Sequence, residues 1–189
     1  MDRIDAMQAF VTVADSRGFA PAARKLGLSP PDVSGELRLE DRMINLVEDG
    51  VDLAVRIGHL PDSSLVARHI GDMRRVVVAS PAYLKAHGEP KTPEALASHR
   101  IIQFGALVPT AEWRFARDGG ELQVSLTPRF STNNADAAIQ HAEAGGGLTR
   151  VMAYQAAAAV RRGRLKIVLQ KYEPPTLPIH IVYPTSRLL

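Results

Sequence analysis

The chain has 189 residues, 46% of them apolar and 23% charged, and a formal net charge of +3, which excludes global disorder and allows a packed core. The lack of cysteine excludes disulfides, thiolate metal sites and a cysteine nucleophile. The start MDRIDAMQAF lacks a leader's basic and then apolar pattern, and no stretch approaches the roughly eighteen apolar residues of a span. The expected location is therefore the cytoplasm, with no membrane partner.

Residues Ile4 to Asp15 predict an amphipathic helix, because Ile4, Met7, Phe10, Val11 and Ala14 fall on one face. A short second helix follows from about Phe19 to Leu26, stopped by Gly27. Ser29 then caps a third helix with Pro30 at its first position. Helix, glycine turn and helix make a helix-turn-helix pattern over residues 1–34. At Gly35 the pattern changes to the alternation Glu36-Leu37-Arg38-Leu39-Glu40, a strand signal. A one-turn helix ending at Ser34 cannot stand alone, so the logic of the chain breaks there.

From Gly35 the pattern is α/β. A helix is expected over about 41–48 and strands over Val51–Ile57, Leu65–Ile70 and Arg74–Ala79. Ser80-Pro81 caps a helix through His87, and Thr92-Pro93 caps another through Ser98. Ile101–Phe104 is a strand. Glu112–Ala116 and Glu121–Leu126 flank Asp118-Gly119-Gly120 as a hairpin. A strand ends at Phe130-Ser131-Thr132, and Asn133 or Asn134 caps a helix over Ala135–Ala144 that Gly145-Gly146-Gly147 ends. Val151–Val160 is alanine-rich and predicts a helix, and Leu165–Leu169 and Ile179–Tyr183 predict late strands. Alternating strands and helices argue for a mostly parallel sheet covered on both faces.

The string AFVTVADSRGFAPAARKLGLSPPDVS resembles the opening of LysR-type transcription regulators: Phe10, Val13, Ala14, Phe19, Ala22, Ala23, Leu26, Ser29, Val33 and Ser34 fill that family's packing and capping places. The strings ELRLEDRMINLVEDGVDLAVRIG, LVARHIGDMRRVVVASPAYLKAHG, HRIIQFG, EWRF, TNNADAAIQHAEAGGGLTRV and LPIHIVYPTSRLL are similar to the family's effector-binding domain, in its order. The resemblance implies an α/β fold in which a helix-turn-helix fragment (1–34) precedes an incomplete, two-lobed domain like periplasmic binding proteins (35–189). Its first lobe would hold about 36–79 and 149–189, and its second about 80–148. It also implies a segment missing after Ser34: the rest of the recognition helix, the winged hairpin, the dimerising helix and the first strand and helix of the effector domain. The implied function is a DNA-binding transcription regulator controlled by a small-molecule effector. The alternative is a ligand-binding module that lost DNA binding with its recognition helix. The family's homo-oligomers would be weakened here.

For DNA the candidates are Ser29, Pro31, Asp32 and Ser34 on the stub of the third helix, with Arg24 and Lys25 toward phosphate. Asp32 would repel phosphate, and the plain alternative is that Ser29 caps a helix while Arg24 and Lys25 form a solvated face. For the effector the candidates are Gly58 and His59 after one strand, Phe104 and Gly105 after another, Asn133 and Asn134 at a helix start, and Gly147 and Thr149 after the glycine run. Free N–H groups at Asn133–Asn134 favour a carboxylate, while Asp136 argues against one. Each has a structural alternative: Asn133 as a cap, the glycines as a turn, His59 as a loop residue. Arg68, Arg74 and Arg75 form a basic cluster that either touches an acidic ligand or faces solvent.

No catalytic site is expected. The histidines at 59, 69, 87, 99, 141 and 180 show no ligand spacing, and neither a G-x-S-x-G elbow nor a nucleotide loop is present. No metal or cofactor is expected, and an enzyme has no positive support.

Overall fold

The computed structural model describes Leu46, Glu48, Asp49, Val51 and residues 54–105 and 110–184. Contacts divide the chain into two units, Met1–Glu40 and Asp41–Leu189. The helix-turn-helix reading, with Arg24, Lys25, Ser29, Pro31, Asp32 and Ser34, lies outside the described residues, as does most of the helix expected over 41–48.

Ten strands are described: β1 (Ala54–Ile57), β2 (Leu65–Met73), β3 (Arg75–Ala79), β4 (Ile101–Phe104), β5 (Ala111–Arg117), β6 (Gly120–Leu126), β7 (Pro128–Thr132), β8 (Leu148–Met152), β9 (Lys166–Val168) and β10 (Leu177–Pro184). Three α-helices lie among them: α1 (Pro81–His87), α2 (Ala135–Glu143) and α3 (Ala153–Arg161). Short 3-10 helices occupy Pro93–Ser98 and Gln170–Tyr172. One sheet has the order β1-β10-β2, a second the order β7-β4-β8-β3-β9, and β5-β6 is a separate hairpin.

Local chemistry explains most starts and turns. Ser80 Oγ accepts from the Tyr83 N–H at 3.3 Å, and Pro81 takes the first helical position. Asn134 Oδ1 accepts from the Ala137 N–H at 2.9 Å, so Asn134 is the cap of α2. Arg117 pairs with Gly120 across Asp118-Gly119, with Gly119 at φ 85°, so the hairpin turns on two residues. Thr92 makes no side-chain cap bond, and the segment after it is a 3-10 helix.

The five-stranded sheet is buried on both faces, and the period of two along β3 divides its side chains between two cores. Val77 and Ala79 join Tyr83, Leu96, Trp113, Phe115 and Leu148 under the hairpin. Val76 and Val78 join Ile102, Ala138, Ala142, Val151 and Ala159 under α2 and α3.

Three expectations are corrected. The sheets are not mostly parallel: only β4 runs parallel to its neighbours β7 and β8, β3 is antiparallel to β8 and β9, and the three-stranded sheet is antiparallel throughout. The cause is that β3 enters from the edge where β4, β7 and β8 end. Val151 and Met152, expected to start a helix, instead end β8, because they pair with Val76 and Arg75 of β3. Sheet membership also shifts the lobes: β3, β8 and β9 pair with β4 and β7, so 75–79 and 148–168 belong with the second sheet.

Candidate functional site

β2 ends at Met73 in the three-stranded sheet, and β3 begins at Arg75 in the five-stranded one, so the chain passes between the sheets at Arg74. It returns between Tyr172 and Leu177. The two passages run side by side, with Met73 paired to Leu177. Arg74 clamps them: its Nε and one terminal nitrogen each donate to a Glu173 carboxylate oxygen at 2.7 Å. These bonds raise the Arg74 pKa above its ordinary value, through hydrogen bonding first and charge attraction second.

Register assigns each expected effector residue to an end of its sheet. Gly58 donates its N–H to Pro178 O at 2.9 Å, and Pro178 pairs with Asp72, so Gly58 and His59 lie at the passage end of the three-stranded sheet. In the other sheet Phe104 pairs with Thr132, and Gly105 N–H donates to Thr132 O at 3.0 Å. Phe104–Gly105 and Asn133–Asn134 therefore share the edge where β4 and β7 end. β8 ends there too, since Met152 pairs with Arg75. This edge adjoins the first passage. Residues 58, 59, 104, 105, 133 and 134 thus come from strand ends bordering the passages.

Their chemistry differs. Asn134 is committed locally: its side chain caps α2, and its N–H donates to Thr132 Oγ1 at 3.1 Å. Asn133 is exposed and makes no hydrogen bond to a described residue. His59 is exposed on a groove of about 460 Å³ that Arg56, Asp62, Ser63, Pro178 and His180 also line.

Gly147 and Thr149 do not join this set. Gly147 precedes β8 at the opposite edge, where Leu148 N–H donates to Arg100 O at 2.9 Å. Its φ is +152°, and a Cβ would run into the Arg100 carbonyl, so glycine serves a close approach of two backbones. Thr149 is fully buried in mid-sheet between Val78 and Ile102, and its hydroxyl has no partner among the described residues.

The basic cluster separates as well. Arg68 is exposed on β2, and Arg74 is held by Glu173. Arg75 is half-buried on β3, and burial pushes its pKa down. Sequence reading missed Arg150, which lies beside it on β8. Arg150 donates to the Arg114 carbonyl at 3.2 Å and the Glu112 carbonyl at 3.4 Å, and sits 5.2 Å over the Trp113 ring. Burial, and then the charges of Arg75 and Arg114, lower its pKa to about 9. The only available signal was an arginine inside an otherwise apolar stretch. Among the described residues no group of three or more His, Asp or Glu side chains forms a metal site, and no helix is long and apolar enough to cross a membrane.

The family profile described as LysR substrate binding domain matches residues 7–189. An uncharacterized HTH-type transcriptional regulator of Haemophilus influenzae is 33% identical over 159 residues, covering 84% of this chain and 55% of that protein. A probable HTH-type transcriptional regulator of Klebsiella pneumoniae, LtrA, is 35% identical over 147 residues, covering 76% of this chain and 46% of its own. The chain spans about half the length of these curated relatives. Among solved structures, the regulatory domain of AphB in Vibrio vulnificus has a TM-score of 0.68 at 26% identity, covering 82% of this chain and 77% of its own. The CrgA regulatory domain, from a LysR-type regulator of Neisseria meningitidis, has a TM-score of 0.63 at 32% identity, covering 76% and 70%. The described sheets thus form the two-lobed α/β architecture of these regulatory domains, and the chain belongs to the LysR substrate-binding domain family.

Proposed function

We propose that this chain is the effector-sensing part of a LysR-type transcription regulator, with its small-molecule effector bound at the passage between the two sheets. The carrying observation is the gathering of Gly58–His59, Phe104–Gly105 and Asn133–Asn134 at strand ends that border the passages. Ligands of open α/β sheets bind beyond such strand ends. A ligand there would touch both lobes, so its binding energy would bias their relative setting. Gly147 and Thr149 leave the proposed site. No residue has a catalytic role in this reading, and the location is the cytoplasm.

The helix-turn-helix fragment at 1–34, the missing segment after Ser34 and a weakened oligomer belong to the same proposal. The helix-turn-helix reading is supported by the motif and by relatives named HTH-type regulators, and the other two rest on the break in pattern at Gly35. DNA is then the partner of residues 1–34.

Two measurements test this. In a thermal-shift screen of small metabolites, both acidic and neutral, a stabilising compound should lose about tenfold or more in affinity in Asn133→Asp or His59→Ala. Finding no such compound, or finding one indifferent to both changes, removes the effector site. Binding to a labelled duplex should weaken steeply with salt. Ligand binding without DNA binding at low salt would favour the module that has lost its operator contacts.

A further inference from the structure

Arg75 pairs with Met152, and Val77 pairs with Arg150, so the two arginines are diagonal neighbours on adjacent strands. Strand alternation places both on the face that carries Val77, Ala79 and Leu148, beneath the β5–β6 hairpin. Such diagonal neighbours lie within reach of long side chains. Gln103 stands level with Arg150 on the same face, because Ile101 and Ile102 pair with Leu148 and Thr149. Its Oε1 accepts from Trp113 Nε1 at 3.1 Å.

Four other arginines have acids: Arg74 has Glu173, Arg114 has Glu121, Arg117 has Glu94 and Arg164 has Glu143. Arg75 and Arg150 have none among the described residues, although both are half-buried. Two like charges withdrawn from water without a counter-charge are costly. Two backbone carbonyls offset part of the cost for Arg150 and leave further N–H groups of its fork unused. The Arg75 side chain makes no hydrogen bond or ion pair to a described residue.

We infer that Arg75 and Arg150 form a binding site for a small oxyanion, the carboxylate or phosphate group of a metabolite. Planar forks match such groups bidentately, and Gln103 supplies a neutral amide beside them. Arg75 is the first residue of β3 after the passage, next to the Arg74–Glu173 clamp. Taking this oxyanion as the acidic group of the effector rests on the function proposed above. The anion site itself does not.

Trp113 is the chain's single tryptophan and lies against Arg150, so its fluorescence reports directly on the site. The full chain is titrated with sodium phosphate and with sodium succinate at constant ionic strength, using sodium chloride as balance. A saturable change with either oxyanion but not with chloride is expected, and the effective salt names the head group. Arg75→Gln should weaken that response about tenfold or more, the loss of one charged hydrogen-bonding partner. The anion-free Arg75→Gln chain should also melt higher than the anion-free parent, because an unpaired buried charge is gone. Arg75→Lys, which keeps the charge but not the fork, should bind with intermediate affinity and provides a second readout if the glutamine variant fails to fold. No saturable response in the parent chain, or an affinity unchanged by both substitutions, overturns the site. An anion response without DNA binding leaves this site standing and removes the regulator reading. A response to a neutral metabolite alone, with DNA binding intact, supports the regulator and overturns the anion site.

Discussion

In the five-stranded sheet, β3 hides Val76, Val77, Val78 and Ala79 in succession, with helices on one side and a hairpin on the other. In the three-stranded sheet, β2 leaves Ala67, Arg68, His69 and Ile70 exposed in succession. Both strands are rich in β-branched or aliphatic residues, so propensity does not separate them. What separates them is neighbours. β3 is bonded on both edges and packed on both faces. β2 is bonded only to β10 in its sheet. Packing therefore fixes the first sheet, and backbone pairing carries more of the second.

Truncation at matched positions should break this comparison most sharply. Ile102→Ala, at a fully buried site in the core under α2 and α3, is expected to cost about 2–5 kcal/mol, and Ile70→Ala, on the exposed strand, within about 0.5 kcal/mol. Chemical denaturation of both variants checks it, and equal losses would mean that β2 is packed as deeply as β3. Gly147→Ala forces a side chain against Arg100 O at a glycine-only φ and should cost roughly 1–3 kcal/mol. An unchanged melt would deny that close approach.

The smallest effect concerns pH. Burial, and then the charge of His87, lower the pKa of His99. The Tyr83 hydroxyl accepts from the Arg100 N–H at 2.9 Å and lies within hydrogen-bonding distance of His99 Nδ1, at 3.2 Å. The unfolded chain binds the proton more readily than the folded chain. Stability from this group is therefore full above the ordinary histidine range, near 6.5, and is lost as pH falls through that value toward the folded pKa. His99→Gln should flatten the fall in melting temperature between neutral and mildly acid pH. An identical slope would remove His99 as the cause.

Local chemistry was the legible part of this molecule. Ser80-Pro81, Asn134 and Asp118-Gly119 announce their structures within four residues, and each forms as read. The sequence LTRVM was not legible as a strand because Arg150 breaks its alternation and an alanine run continues it. Only the pairing of β8 with β3 and β4, set by distant segments, decides the matter. Lobe membership failed for the same reason. Of the expected effector residues, those following β4 and β7 share one edge of the five-stranded sheet, and those following β1 lie at the passage end of the other sheet. Gly147 and Thr149 were read from composition, which carries no direction along a strand. The diagonal placement of Arg75 beside Arg150, and the ion pair of Arg74 with Glu173, span too much chain for any local sign.

The clamp at Arg74 and Glu173 has a mechanical corollary. Two boards joined by two adjacent threads can swing like a door but cannot slide past each other. With Met73 bonded against Leu177 and Arg74 bridging to Glu173, the lobes keep one easy motion, rotation about the line through the two passages. A ligand beside that line that touches both lobes acts on their angle through a short lever. Anything wedged far from it, as at the outer end of β1 or β7, turns a small displacement into torque.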